Sequence, residues 1–425
     1  MLDKLKQIWK AQDVRKSILY VAALLVVYRI AAHVPVPGVN VAELKTYLEG
    51  NQVLGLLSMF SGGALQNFSV IMLGVGPYIT ASIIIQLLAM IVPKIEALSK
   101  EGEYGQQKLN QYTRLLTVPL ALIQAYSYIR LLSSQTQGRL LGDMTSMELV
   151  TTLVLITAGT LFLMWLGELI TEKHVGNGVS LIIFAGIVSG LPTTIRNTFI
   201  AFDNSQVLNL VIFVVIALVT IAAVVLITEG QRNIPVSYAR HMVGTRSVGG
   251  VNTHLPLRVN QAGVIPIIFA VSVVLVPPMI AQFFLKSSVL WMANFSQWII
   301  DTFQGRMFHN VVYFLLVVIF TYFYTSVIFK PQQIAENLQK QGGFIPGIRP
   351  GRPTSDYLNM VMNRVVLVGA IFLGLIAILP NIIPSVTNVA TIAFGGTSLL
   401  IVVSVAIETV KQIDAQLVMR DYEGF

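Results

Sequence analysis

The chain has 425 residues, 55% of them hydrophobic and 11% charged, with a mean hydropathy of +0.73 and a net charge of +8. That balance excludes an ordinary soluble domain and describes a polytopic membrane protein, in which a basic excess reports topology before it reports a nucleic-acid partner. The absence of cysteine excludes disulfides and thiolate metal sites.

Residues 1–16 alternate Leu2, Leu5, Ile8 and Trp9 with Lys4, Lys6, Lys10, Arg15 and Lys16, the pattern of an interfacial helix feeding a first span at 18–34. Because more membrane follows rather than a secreted domain, this span is expected to be uncleaved. Arg29 sits toward its far end, where it can snorkel or pair inside the bundle. Residues 53–88 are apolar enough for a membrane, yet Gly62, Gly63, Gly74, Gly76 and Pro77 argue against one continuous helix. Glycine costs about 1 kcal/mol and proline about 3 kcal/mol in a helix interior. A broken second span, ending near Val92, is the expectation. In lipid such a break is tolerated where protein buries it or where it lines a watery path.

Further spans are predicted at 112–132, 149–170, 179–199, 207–227, 263–284, 307–329, 359–379 and 391–413, each long enough for about 30 Å of hydrocarbon. That makes ten, and an even count puts both termini on one side. Lys and Arg concentrate in the loops of that side, which makes it cytoplasmic. The expected fold class is therefore an all-α polytopic membrane protein with two five-helix halves, 1–200 and 201–425. An odd number of spans per half inverts the second relative to the first. The second span of the second half carries Pro266, Pro277 and Pro278, so irregular helices occupy matching positions. A substrate path is expected between the second and seventh spans.

Pumps and ion-coupled carriers handle their cargo with ionisable groups at membrane depth. Apart from Arg114, Arg130, Arg196, Arg364 and Lys411, which sit toward span ends and are counted with the loops, the charges placed within the predicted spans are Arg29, Glu168 and Glu408, and the last two lie near cytoplasmic ends, where solvation or helix pairing is expected. The broken pair and the fifth span instead offer Ile79, Ile83, Ile84, Ile85, Ile182, Ile183, Ile187, Ile267 and Ile268. Any one of these suits ordinary packing. Their convergence on the broken pair suits a hydrophobic constriction, which stops ions by dewetting and yields to flexible cargo.

Residues 230–262 and 329–357 are too long and too rich in Gly, Pro and Arg for simple connections, and read as a cytoplasmic docking platform. Arg349, between Pro346, Gly347 and Pro350, Gly351, is expected on a rigid turn suited to an acidic partner. Arg352 or Lys340 alone would serve equally as a positive-inside anchor. No GxxxxGK[ST], HExxH or GxSxG motif occurs, and the histidines lack metal-ligand spacing. The chain is not expected to be an enzyme, and no cofactor or metal is implied.

Five strings carry a resemblance that runs through nearly the whole chain: FSGGALQNFSVIMLGVGPYITASIIIQLL (60–88), MWLGELITEKHVGNGVSLIIFAGIVSGLP (164–192), HLPLRVNQAGVIPIIFA (254–270), PQQIAENLQKQGGFIPGIRPGRPT (331–354) and FGGTSLLIVVSVAIET (394–409). They closely resemble the SecY family of bacterial protein-translocation channels. The resemblance implies a clam-shell of two inverted halves, an hourglass pore with an aliphatic ring, a plug, and a lateral gate between the second and seventh spans. The ring would be Ile79, Ile83, Ile183, Ile187, Ile268 and Ile401, with Ile182 able to replace a fifth-span member. The plug would comprise Phe60, Ser61, Gly62, Gly63, Ala64, Leu65, Gln66, Asn67, Phe68, Ser69, Val70, Ile71 and Met72. The gate would include Pro77, Ser82, Gln86, Pro266 and Val276, and docking would fall to Arg232, Arg240, Arg246, Arg258, Arg349 and Arg352.

The resemblance also implies a place in the bacterial cytoplasmic membrane. Its implied partners are the small SecE and SecG subunits, the SecA ATPase, the ribosome, signal peptides, unfolded preproteins and membrane lipids, with no direct nucleic-acid substrate. Departures from the family pattern are Gln106 and Gln107 for a basic pair, Asn233 for a basic residue, Gly76 for a bulkier apolar one, and Ser404 in an apolar stretch. They bear on partner affinity and gate opening. The competing readings are an inverted-repeat small-solute transporter, which calls for a buried carboxylate at the broken helices, and an insertase or scaffold, which calls for a charged intramembrane groove. The sequence offers neither feature.

Overall fold

The computed structural model describes residues 9–37, 61–135, 145–200, 207–238, 240–243, 246–249, 252–285, 289–387 and 396–423. The chain forms two compact units, one of Met1–Asn204, Ser272–Arg306 and Val405–Phe425, the other of Ser205–Val271 and Met307–Ser404.

In the first unit, α1 (Gln12–Ala31) is followed by turns over 61–75 and then α2 (Gly76–Ile91). Pro77 occupies the first turn of α2, where its missing N–H costs nothing and its fixed φ suits the helix. The helix therefore opens at the joint predicted from Gly74 and Pro77. Its other end is set by Pro93, which forces Val92 into extended backbone (φ −99°, ψ 111°). The chain turns through 102° there into α3 (Pro93–Lys100). Lys100 lies 2.6 Å from Glu96 on α3 and holds that carboxyl below its usual range.

Next come α4 (Glu103–Gln135), α5 (Ser146–Thr171) and α6 (Gly178–Ile200). A capping box starts α5, the Thr145 amide donating to Glu148 Oε2 at 2.9 Å and the Glu148 amide to Thr145 Oγ1 at 3.4 Å. Near its far end Glu168 accepts from Arg114 Nε of α4 at 2.7 Å, the helix pairing expected for that carboxylate. The two side chains remain 49% (Arg114) and 23% (Glu168) exposed. Glu168→Gln is accordingly expected to cost no more than about 1 kcal/mol. The shift in thermal midpoint of the solubilised protein measures it, and a several-fold larger loss would contradict a screened pair.

The turn from α5 to α6 is closed by Thr171 Oγ1, which accepts from the Gly178 amide at 2.9 Å, and by Asn177 Oδ1, which accepts from the Ser180 amide at 3.1 Å. Gln416 Nε2 reaches the carbonyl of His174 at 3.0 Å, fastening the C-terminal helix to this turn.

The second unit begins with α7 (Val207–Glu229) and then forms strands β1 (Gln231–Tyr238), β2 (Arg240–Val243), β3 (Arg246–Gly249) and β4 (Asn252–Arg258). The chain continues through α8 (Ile265–Phe284), which runs from this unit into the first, and α9 (Leu290–Gln304). It is completed by α10 (Arg306–Ile328), α11 (Pro331–Lys340), β5 (Gly343–Phe344), α12 (Arg352–Thr387) and α13 (Gly396–Glu423). One antiparallel sheet has the order β4-β1-β5, with Ile234 opposite Leu255 and Ser237 opposite Phe344, while β2 and β3 pair as a separate hairpin. Period-two burial drives Ile234 and Val236 of β1 and Leu257 of β4 into one cluster with Leu338, Ile345, Leu358 and Met362. Pro235 is tolerated in β1 because the short β5 meets only Ser237 and Tyr238, leaving Pro235 no partner strand on that side.

Among the described residues three helical stretches are long and apolar enough to cross a membrane, Ser146–Thr171, Met307–Lys340 (α10 with α11) and Arg352–Leu379, or four when the bent pair at Val92 is counted as one span. Shorter apolar helices occupy Gly178–Thr193, Val214–Glu229 and Ile265–Pro278. Each falls on a stretch predicted as a span.

Candidate functional site: sealing segment and docking platform

The segment read as a plug is a run of turns seated in the first unit. Of its predicted residues, Phe60 lies outside the described ones, and Ser61, Gly62, Gly63, Ala64, Leu65, Gln66, Asn67, Phe68, Ser69, Val70, Ile71 and Met72 fall within them. Leu65, Phe68 and Met72 bury themselves with Val36 against Ala125, Ile129 and Leu132 of α4 and Ile156 of α5. Phe68 takes a left-handed φ of 44° although fully buried. Such a conformation costs a non-glycine residue about 1–2 kcal/mol, and the apolar cluster is what holds it there.

Two kinds of bond tie the segment to the end of α1. At its far end the shorter ties are main chain: the Val36 amide donates to the Phe68 carbonyl at 2.9 Å and the Val70 amide to the Val34 carbonyl at 3.1 Å, a β-bridge of Pro35 with Ser69, with Asn67 Nδ2 also donating to the Ala32 carbonyl at 3.4 Å. At its near end they are side chains: Tyr28 Oη donates to the Ser61 carbonyl at 3.2 Å, and Arg29 Nη1 to the Gly62 carbonyl at 2.7 Å. Of the two options open to Arg29 in the sequence, snorkelling or pairing, it takes pairing, and with this backbone.

Glycines let the segment approach its walls. A Cβ on Gly62 would overlap the Tyr28 hydroxyl and come within 2.6 Å of Gly186 Cα on α6. A Cβ on Gly186 would in turn come within 2.9 Å of Gly62 Cα, and one on Gly159 of α5 would overlap the Val70 carbonyl. Sequence reading did not single out Tyr28, Gly159 or Gly186. The only available signal was a small residue inside an apolar helix, which marks close helix packing without naming what approaches.

The proposed ring residues of the first unit sit in pairs one helical turn apart, Ile79 with Ile83 on α2 and Ile183 with Ile187 on α6, all buried. Ile182 is equally buried, so burial does not separate it from Ile183. Ile268 on α8 and Ile401 on α13, which belong to the second unit, are buried as well. Of the gate residues, Ser82 Oγ accepts from Gln86 Nε2 at 3.1 Å, while Gln86 Oε1 is buried without a partner. Pro77 and Pro266 are buried and Val276 is half-buried.

The departures from the family pattern resolve into distinct physical situations. Gln106, Gln107 and Asn233 are exposed, so what they remove is surface charge. A Cβ on Gly76 would meet nothing within 4 Å, so glycine is no steric requirement there. Ser404 buries its hydroxyl without a partner, which costs about 1–3 kcal/mol relative to a satisfied group.

The stretches read as a docking platform belong wholly to the second unit. Arg232 and Arg258 are exposed at one end of the sheet, Arg349 and Arg352 are exposed around the turn into α12, and the cluster under the sheet also anchors Ile345 and Ile348 beside Arg349. The turn has left-handed glycines at Gly347 (φ 83°) and Gly351 (φ 96°), and Thr354 Oγ1 donates to the Arg349 carbonyl at 2.9 Å. Arg349 is thus presented outward from a pinned backbone. Arg240 and Arg246 lie on the β2–β3 hairpin, and their side chains fall outside the described set. Among the described residues no group of three or more His, Cys, Asp or Glu could hold a metal.

The family model for SecY matches residues 69–410, a stretch that includes the six isoleucines expected to form a ring and both loops read as a platform. The chain belongs to the SecY family. The protein translocase subunit SecY of Streptomyces coelicolor is 44% identical, with all of both chains covered. A solved structure described as that of a protein conducting channel superposes with a TM-score of 0.63 at 18% identity, covering 93% of this chain and 90% of that one. A second, in which the plug domain of a SecY protein is described as stabilising the closed state of the translocation channel and maintaining a membrane seal, gives 0.60 at 18% identity, over 92% and 90%. The fold is therefore that of a SecY-type channel.

Proposed function

We infer that this chain is the protein-conducting subunit of a translocase, a membrane channel that passes unfolded polypeptides and is itself no enzyme. The observation that carries the reading is membership of the SecY family across residues 69–410. A path closed by Ile79, Ile83, Ile183, Ile187, Ile268 and Ile401 is matched to cargo without fixed side-chain chemistry, because an aliphatic constriction excludes ions by dewetting and parts around a chain. The segment 60–72 acts as the plug behind it. Pro77, Ser82, Gln86, Pro266 and Val276 line a lateral gate that releases apolar segments into lipid.

In the same reading ten spans form two inverted halves, 1–200 and 201–425, with both termini cytoplasmic in a bacterial inner membrane. SecE and SecG flank the channel. SecA or the ribosome docks on Arg232, Arg240, Arg246, Arg258, Arg349 and Arg352 and supplies the drive.

Photocrosslinkers at positions 79, 183 and 268 test the path. A stalled translocating polypeptide is expected at all three, and capture at none would refute the channel. For the seal, Ile83→Ser is expected to raise ion conductance in planar bilayers by about an order of magnitude, since one hydroxyl rewets a narrow apolar constriction. Conductance equal to the parent's would place Ile83 outside the constriction.

A further inference from the structure

We propose that Arg29 is the positioning residue that latches the plug shut, acting through the backbone carbonyl of Gly62; the proposal rests on the channel reading above. A guanidinium is always charged and carries several N–H donors, so inside an apolar helix bundle it needs an acceptor. Arg29 is half-buried near the C-terminal end of α1, and its Nη1 meets the Gly62 oxygen at 2.7 Å. The neighbouring Tyr28 hydroxyl bonds the preceding carbonyl, that of Ser61, at 3.2 Å. Gly62 has a φ of 66° and no room for a Cβ, so this end of the plug is held by its backbone between α1 and Gly186 of α6.

The two ends of the segment differ in what holds them. The Pro35–Ser69 bridge uses amides and carbonyls that almost any sequence would supply, and the side chain that joins them there, Asn67 on the Ala32 carbonyl at 3.4 Å, is neutral and its bond long. The 61–62 end depends on two particular side chains, and one of them is charged. Losing the charge-assisted bond therefore loosens the plug selectively at that end, and Arg29 sets how often it leaves its seat.

The native chain has no cysteine, so a single introduced thiol reports plug excursions without background. Ala64 is fully buried in the segment, and Ala64→Cys in the full chain, assembled with its membrane partners and without cargo, is labelled by a membrane-impermeant maleimide only when the segment lifts. Adding Arg29→Met, which keeps the stem and removes the charge, is expected to raise the labelling rate about tenfold. Tyr28→Phe is expected to give about threefold, and Arg29→Lys an intermediate rate.

Ala370→Cys, fully buried on α12 in the other unit, serves as the control and is expected to label no faster with Arg29→Met than without it. A rate at Ala64→Cys within twofold of the parent overturns the latch, as does an equal rise at both thiols, which would make Arg29 a residue of general stability. Preprotein transport by the wild-type chain is measured alongside. Its absence would refute the channel itself, whereas normal transport with unchanged labelling refutes the latch alone.

Discussion

Gly159→Val is expected to leave the channel open at rest. An ordinary glycine inside a helix is a liability, and giving it a side chain gains about 0.5–1 kcal/mol in helix stability. At Gly159 the sign reverses, because a Cβ there would overlap the Val70 carbonyl and come within 2.7 Å of its carbon and 2.9 Å of its Cγ1. Overpacking of this kind costs about 1–3 kcal/mol where the neighbour cannot move. Here the neighbour is the segment proposed as the plug, and in that reading relief is expected to come by lifting it from α5. The measurement is single-channel conductance without cargo, expected to rise at least about tenfold if some 1.4 kcal/mol of seating is lost. Gly190→Ala on α6, where a Cβ would meet nothing within 4 Å, is the matched control and is expected to be neutral or slightly stabilising. Equal conductance in the two variants would remove the plug from contact with Gly159.

Arg349→Glu is expected to abolish ATPase-driven transport while leaving the chain folded. Its side chain is exposed, and the turn that bears it is fixed by groups the substitution does not touch: Ile345 and Ile348 in the cluster, and the Arg349 carbonyl accepting from Thr354. Reversal replaces an attraction to an acidic partner with a repulsion. At a docked charge pair that is worth about 2–5 kcal/mol, or a thirtyfold to several-thousandfold loss of engagement. The rate of preprotein import into inverted vesicles reads it, with the thermal midpoint as the control on folding. Import at more than half the normal rate would assign Arg349 to topology alone.

The parts of this site legible in the sequence were those whose cause is local. Pro77 at the first turn of α2 and the glycines before it announced where the second span breaks. Glu168 near a helix end left solvation or helix pairing open, and its pairing with Arg114 could be read only from the structure. The alternation of Ile234 and Val236 with polar neighbours could have disclosed the sheet inside the platform, but Pro235 in its middle obscured that strand. The seat of the plug was not legible, because Gly159, Gly186 and Tyr28 acquire their meaning only from backbone that lies far from them in sequence. A glycine in an apolar helix looks the same whether lipid, a neighbouring helix or a plug lies against it.

The closeness of Gly62 to Gly186 and of Val70 to Gly159 means that main chain, rather than side chain, fits the plug to its socket. A fit of that kind places unequal demands on its two parts. Exposed plug positions such as Gln66 can drift to many residues without altering the closed shape, while the socket glycines cannot accept even a methyl group without displacing the segment. Among relatives of this chain, variation should therefore gather in the stopper and be scarce in the neck that receives it.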